Sequence, residues 1–238
     1  MSKTKGFLLA VGIVLAMSFT LSCSYGGDNG DSSGSVTYEG QIYRTVKIGK
    51  QVWFAENLNY NVSGSMCYDN SESNCNTYGR LYNWATAMGL PLSCNSSDCL
   101  RQIKSPHKGI CPDGWHIPSE ADWDKLYRFV DGTSGTSSRY TSPTAGKYLK
   151  AKSGWSEDGN GTDKFGFSAL PGGYGYSDGS FSYVGYYGGW WSAKETELEV
   201  ANGIYHFGHD RYIDYEYDIA FEQGSYKDHL FSVRCLQD

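Results

Sequence analysis

Six cysteines follow an N-terminal export signal, and they limit what this chain can fold into more than any other feature. They are Cys67, Cys75, Cys94, Cys99, Cys111 and Cys235. The signal consists of Lys3 and Lys5, an uncharged apolar run from Phe7 to Leu21, and the small residue Ser22. That order is the grammar of a secretory signal, and the run is short for a membrane span. Export delivers a chain to an oxidising compartment, where an even set of cysteines reads as a disulfide framework. Six cysteines allow fifteen pairings. Proximity suggests Cys67–Cys75 and Cys94–Cys99, each closing a polar turn, and leaves Cys111–Cys235 to tie the middle of the chain to its end. Zinc is the other use of such residues. The spacings C-x7-C and C-x4-C, with no paired C-x2-C, argue against it.

Phe19-Thr20-Leu21-Ser22-Cys23 resembles a bacterial lipobox, with Thr20 where leucine is usual. The resemblance implies removal of residues 1–22 and acylation of Cys23, which becomes the mature N-terminus. Several acyl chains anchor stably where one does not, so the membrane is an expected partner. Plain secretion with an incidental Cys23 is the alternative. Residues 23–35 are rich in Gly, Ser, Asp and Asn and read as a flexible tether. Ser24 stands where inner-membrane retention in enteric bacteria uses Asp, which points to the outer membrane. Cleavage removes Lys3 and Lys5 but no acid and takes the net charge from −6 to −8. An acidic chain without a basic stripe is a poor nucleic-acid binder. Aromatic residues make up 16% of the chain, which argues against disorder, and only 19% are charged, which argues against a coiled coil.

Residues 36–238 form the expected folded domain. Val36 to Phe54 alternates around turns at Tyr38-Glu39-Gly40-Gln41 and Gly49-Lys50, a β-meander with Ile42, Val46, Val52 and Phe54 as its apolar positions. Thr77 to Met88 has helical spacing. A second helix starts after Pro118, with Ser119 as N-cap and Asp122 completing a capping box. Trp123, Leu126, Tyr127 and Val130 form its apolar face, and Gly132 ends it. No helix is expected from Ser134 onward. Strands are expected over 165–170, 189–193, 201–207 and 230–236. Strands, two helices and more strands make an α+β domain.

Whole phrases carry a family resemblance. Val46-Lys47-Ile48-Gly49, Trp53-Phe54-Ala55-Glu56-Asn57-Leu58, Cys67-Tyr68-Asp69-Asn70, Tyr78-Gly79-Arg80-Leu81-Tyr82 and the run from Cys111 to Ser119 resemble the Fibrobacter succinogenes major paralogous domain. So do the run from Phe165 to Gly173, Trp190-Trp191-Ser192 and Phe231-Ser232-Val233-Arg234-Cys235. That family implies a secreted or lipid-anchored bacterial protein and no particular activity. Ile117-Pro118-Ser119-Glu120-Ala121-Asp122-Trp123 and Val233-Arg234-Cys235 are similar to segments of formylglycine-generating-enzyme-like domains. This more distant similarity implies a C-type-lectin-like fold, with two helices, twisted antiparallel sheets and long irregular loops. Fold-level analogy does not transfer function. Cys235 is the only cysteine after Cys111, so the copper-binding cysteine pair of those enzymes has no counterpart. The lectin calcium signatures "EPN" and "WND" are absent as well.

Tyr174, Tyr176, Tyr183, Tyr186 and Tyr187 lie between Gly-rich turns and are the candidate ligand-binding residues. Flat rings with a polar tip pack on the apolar faces of sugars. Asp158, Asn160 and Asp163 cluster oxygen donors in a Gly-rich loop and are candidate calcium ligands, although the pattern departs from an EF-hand. His206 and His209 suggest a metal only weakly, because they face opposite sides of a strand, and Gly208 reads as a turn. Acids between Glu195 and Glu222 supply the carboxylates for a glycan hydrolase, the catalytic alternative. No nucleophile–base pair or phosphate loop is present, so no catalytic residue is named. The expected function is non-catalytic binding or adhesion to a polysaccharide or glycan at the cell surface. An envelope module that contacts protein is the other alternative.

Overall fold

The computed structural model describes residues 34–132, 141–201 and 203–238. The signal segment, Cys23 and the tether through residue 33 lie outside the described residues. In chain order the strands are β1 (Gly34–Tyr38), β2 (Gln41–Ile48), β3 (Gln51–Phe54), β4 (Ser65–Met66), β5 (Leu81–Tyr82), β6 (Trp115–His116), β7 (Thr141–Ser142), β8 (Gly172–Gly175), β9 (Phe181–Val184), β10 (Tyr187–Val200), β11 (Gly203–Asp214), β12 (Ala220–Tyr226) and β13 (Leu236–Gln237). The α-helices are α1 (Glu72–Tyr78), α2 (Trp84–Ala87), α3 (Glu120–Asp131) and α4 (Ala145–Leu149). One sheet runs β1-β2-β3-β13-β6, a second runs β7-β12-β11-β10-β8-β9, and β4 pairs with β5.

This corrects the expected α+β, C-type-lectin-like fold. The described residues are mostly β, 38% strand and 19% helix, built on three sheets. Among them α3 is the one long helix. The helix expected over Thr77–Met88 is two short pieces, α1 and α2, broken where Gly79 takes φ +78° and β5 intervenes. The sheet strand expected over 165–170 is loop, touched by a single bridge from Lys150 to Ala169. A helix, α4, stands where none was expected. The first strand, β1, begins at Gly34 and so includes Gly34 and Ser35 of the segment expected as tether.

Local chemistry explains the parts that agree. β1, β2 and β3 form a meander whose turns place Glu39, Gly40 and Gly49 at positive φ. α3 carries a complete capping box between Ser119 and Asp122, and Gly132 closes it in the left-handed region. Trp123, Leu126, Tyr127 and Val130 are its buried face. In β2, Ile42 is 69% exposed and Tyr43 points inward, because the Tyr43 ring stacks on Phe54 at 4.9 Å.

Adjacent Trp190 and Trp191 are both buried and face opposite sides of β10. Trp190 joins Trp53, Trp123 and Phe167 in one core cluster. Trp191 joins Phe54, Trp84 and Phe231 in the other. Between the clusters lies a buried polar knot. Asn57 Oδ1 accepts from Trp190 Nε1 at 2.8 Å and from Arg234 Nη2 at 2.6 Å. Asn57 Nδ2 donates to the Tyr78 carbonyl and to Ser232 Oγ. Arg234 also donates to the carbonyls of Phe54, Phe167 and Ser168, and its guanidinium stacks on Phe167. Five of the phrases that carry the family resemblance therefore meet at one place, and their work there is structural.

The three disulfides are Cys67–Cys75, Cys94–Cys99 and Cys111–Cys235, the pairing that proximity suggests. Among the described residues no helix is long and apolar enough to cross a membrane.

Candidate functional site

The second sheet shapes the site. β8 runs parallel to β10 at Gly188 and Gly173, and β9 returns along the other edge of β8. β10, β11 and β12 form an antiparallel set in which Asp210 lies opposite Gln223, and Tyr187 lies opposite Asp214. The alternation of a strand puts Asp210, Tyr212 and Asp214 on one face of β11. Tyr174 and Tyr176 come from β8 and its turn, and Tyr183 comes from β9.

These residues line an open cavity of about 500 Å³, walled by Tyr174, Tyr176, Tyr183, Tyr187, Tyr212 and Phe231. Its polar groups are Asp214, Gln223, Ser225 and His229. A second cavity, of about 690 Å³, includes Tyr186 and Tyr215 and shares Tyr183 and Asp214 with the first. All five candidate tyrosines thus come together, four on the first cavity and Tyr186 on the second.

The rings form a continuous array. Tyr174 stacks on Tyr183 with centroids 5.7 Å apart, and Tyr187 stacks on Tyr212 at 5.1 Å. The Tyr174 and Tyr176 hydroxyls lie 2.9 Å apart. A Cβ at position 189 would come within 2.9 Å of both Tyr187 and Phe231, so only glycine lets these rings close on the strand. Tyr183 is 57% exposed and has φ +66°, in the left-handed region where an aromatic residue is strained. Such an outlier persists only where its surroundings hold it, and functional sites are where it is found. Here the Tyr174 stack and a bond from the Tyr186 amide to the Tyr183 carbonyl hold it.

Asp210 is fully buried beneath the array. Tyr187 Oη donates to its Oδ2 at 3.2 Å, and Gln223 Nε2 donates to the same oxygen at 3.1 Å and to Tyr187 Oη at 2.9 Å. The triangle fixes the tilt of the Tyr187 ring and the orientation of the Gln223 amide. Burial pushes the Asp210 carboxyl up to about 7, although hydrogen bonds from Gln223 and Tyr187 and the charge of Arg211 pull it down. Burial likewise raises Tyr174 and Tyr187 and lowers His229. The tyrosines keep their protons and the imidazole is neutral at pH 7.

A raised carboxyl binds its proton more tightly in the folded chain than in the unfolded one. The stabilisation is complete below about pH 4 and is lost as pH rises through about 7. Asp210→Asn therefore raises stability at pH 8 by on the order of 4 kcal/mol and has little effect near pH 4. Urea midpoints of the two proteins at both pH values check this. Equal gains at both would show that Asp210 ionises normally.

The other candidates lie apart from this cleft lining, most of them bonded within the fold. Asn160 Oδ1 accepts the Trp155 amide, and Asp163 accepts the Ser168 amide and hydroxyl, each at 2.7 Å. These oxygens cap a turn, while Asp158 is exposed. His206 lies near Glu195 and Glu197, and His209 bonds to Glu222 and Thr196 on the opposite face. Gly208 is not a turn but the middle of β11, where the Trp84 indole packs against its α-carbon. Of the acids between 195 and 222, Glu195 pairs with buried Lys227 at 2.6 Å, and Glu222 pairs with His209, Lys194 and Arg211. A larger cavity, about 760 Å³, lies by His107, His116 and Asp122. Several of its polar groups are engaged: Asp122 caps α3, His116 bridges Asp122 and Asp238, and His107 bonds to the Lys104 amide and the Met88 carbonyl.

Tyr212 and Asp214, together with Gln223 and His229, were absent from the ligand-binding candidates, although Asp214 stood among the acids of 195–222. The signal that marks the first two is the period-two run Asp210, Tyr212, Asp214, which becomes legible only once β11 is known to extend to residue 214. The model of the Fibrobacter succinogenes major domain matches residues 46–237. This chain belongs to that family. The family's name assigns no activity, and the match covers the polar knot and the cleft alike. No curated protein and no solved structure matches the chain, so the lectin-like similarity gains no support.

Proposed function

We propose that this member of the family is a surface lipoprotein that binds a polysaccharide or glycan without cleaving it. The cleft between β8, β9 and β11 is the contact surface, and Cys23 is the acylated anchor in the outer membrane. The observation that supports the reading is a wall of tyrosine rings around an open cavity with an oriented polar floor. Rings offer flat apolar area to sugar C–H faces, and the Gln223 amide and tyrosine hydroxyls offer directional hydrogen bonds. Calcium has no part in this reading.

The test is a glycan-binding screen of the mature chain with its disulfides intact. Soluble and insoluble polysaccharides are offered, released sugar is measured, and palmitate labelling is followed in the producing cell. Tyr183→Ala or Tyr174→Ala weakens binding about five- to tenfold, since an aromatic contact contributes about 1 kcal/mol. Undiminished binding in both variants overturns the assignment of the cleft, and released sugar overturns the non-catalytic reading. Loss of the label in Cys23→Ala supports the anchor. The second reading, an envelope protein partner, is favoured by the exposed Leu198, Ile204 and Tyr205 at the far end of the β10–β11 hairpin. Retention of an envelope protein lost on Leu198→Ser, with no glycan bound, would select it.

A further inference from the structure

We infer that the cleft selects its glycan by charge, preferring chains that carry free amines, accepting uncharged ones and rejecting uronate-bearing ones. The inference rests on the glycan reading above and names the ligand class within it.

Three features of the lining carry it. Among the described residues, no lysine or arginine lines either cavity. Asp214 lines both cavities and lies with Tyr183 on the ridge between them. Its Oδ1 accepts the Glu216 amide at 2.9 Å, which fixes the carboxylate at the end of β11. Burial disfavours the charged form of His229, the one basic side chain among the described residues that line the first cavity. An incoming carboxylate thus finds no cation to pair with and one acid to repel it. An incoming ammonium finds the Asp214 carboxylate together with the faces of several tyrosine rings. A cation over an exposed aromatic face gains about two- to fivefold in affinity, and an exposed ion pair gains a similar amount. Neither gain is large, but both have the same sign, and among the described residues no lysine or arginine in the cleft opposes them.

In the larger cavity His116 is paired with Asp122 and Asp238. Among the described residues the one cluster with metal-like spacing, Cys67, Glu72 and Cys75, contains a disulfide.

The experiment compares three oligosaccharides of equal length on the full mature chain: a glucosamine chain, a cello-oligosaccharide and a galacturonate chain. In mildly acidic, low-salt buffer the amines are protonated. The glucosamine chain binds about fivefold tighter than the neutral one, and the galacturonate chain binds about fivefold weaker or worse. Raising the salt compresses the series, because exposed charges are screened. Asp214→Asn brings the ratio of amine to neutral binding close to one. Equal binding of all three, tighter binding of the galacturonate, or a ratio unchanged in Asp214→Asn overturns the charge rule while the glycan reading stands. Failure of all three to bind, while another glycan binds at the cleft, also overturns the charge rule alone. Absence of binding to every glycan offered overturns both.

Discussion

Replacing Cys111 and Cys235 together by alanine lowers the unfolding free energy by about 5 kcal/mol. The two cysteines are 124 residues apart in sequence, against 8 and 5 for the other two pairs. On the chain-entropy account the benefit of a cross-link grows with the logarithm of the loop it closes in the unfolded chain, so the short pairs contribute about 2 kcal/mol each. A loss of that size is a large share of what holds an ordinary domain together. Both sulfurs are fully buried, and the bond joins the loop before β6 to the approach to β13. Urea denaturation followed by tryptophan fluorescence measures the difference. The expectation fails if the Cys111/Cys235 variant loses no more than the matching Cys94/Cys99 variant.

The second large effect comes from Arg234. Arg234→Met costs about 3–5 kcal/mol, although the new side chain has similar length and suits an apolar site. Among the described residues no acid forms an ion pair with the guanidinium, and its charge is satisfied by carbonyl groups and Asn57. Removing the donors leaves the carbonyls of Phe54 and Phe167 and the Asn57 oxygen buried with fewer partners, and each such group costs about 1–3 kcal/mol. Arg234→Lys keeps the charge but loses the fork that reaches several acceptors at once, so it recovers only part of the loss. A Met variant within 1 kcal/mol of the parent, again by urea denaturation, would show that the knot does not hold the two core clusters together.

What the sequence revealed depended on whether the signal was local. The α3 helix was legible because its cap, its apolar face and its terminating glycine lie within fourteen positions that read as one pattern. The meander was legible from its turn residues, but the inward face of β2 was not. Tyr43 and Ile42 are both apolar enough, and a ring partner across the sheet decides between them. The lectin-like expectation failed for a related reason. The phrase around Ser119 does specify a capped helix, yet a capped helix is compatible with many sheets, and the order β7-β12-β11-β10-β8-β9 is written in no single segment. The five tyrosines were legible as a cluster from their spacing among glycines. Their polar floor was not, because Asp210 and Gln223 become neighbours only through the register of β11 on β12.

Every residue of the cleft from Tyr174 to Phe231 lies inside the loop closed by Cys111 and Cys235, so the site belongs to a covalent ring. A pull on a ligand held there, resisted at residue 34, divides at the cleft and travels by two backbone arms. One runs back along the chain toward Cys111, and the other runs forward to Cys235 and across the sulfurs. The arms rejoin at Cys111, upstream of which a single chain leads to β1, an edge strand whose only neighbour in its sheet is β2. Under the proposed function, drag on a bound polymer would load that outer hairpin as the weak link in series, while the sheet that carries the tyrosines shares its tension between two arms. The hairpin can unzip and lengthen the chain without the grip on the ligand being the first thing to fail.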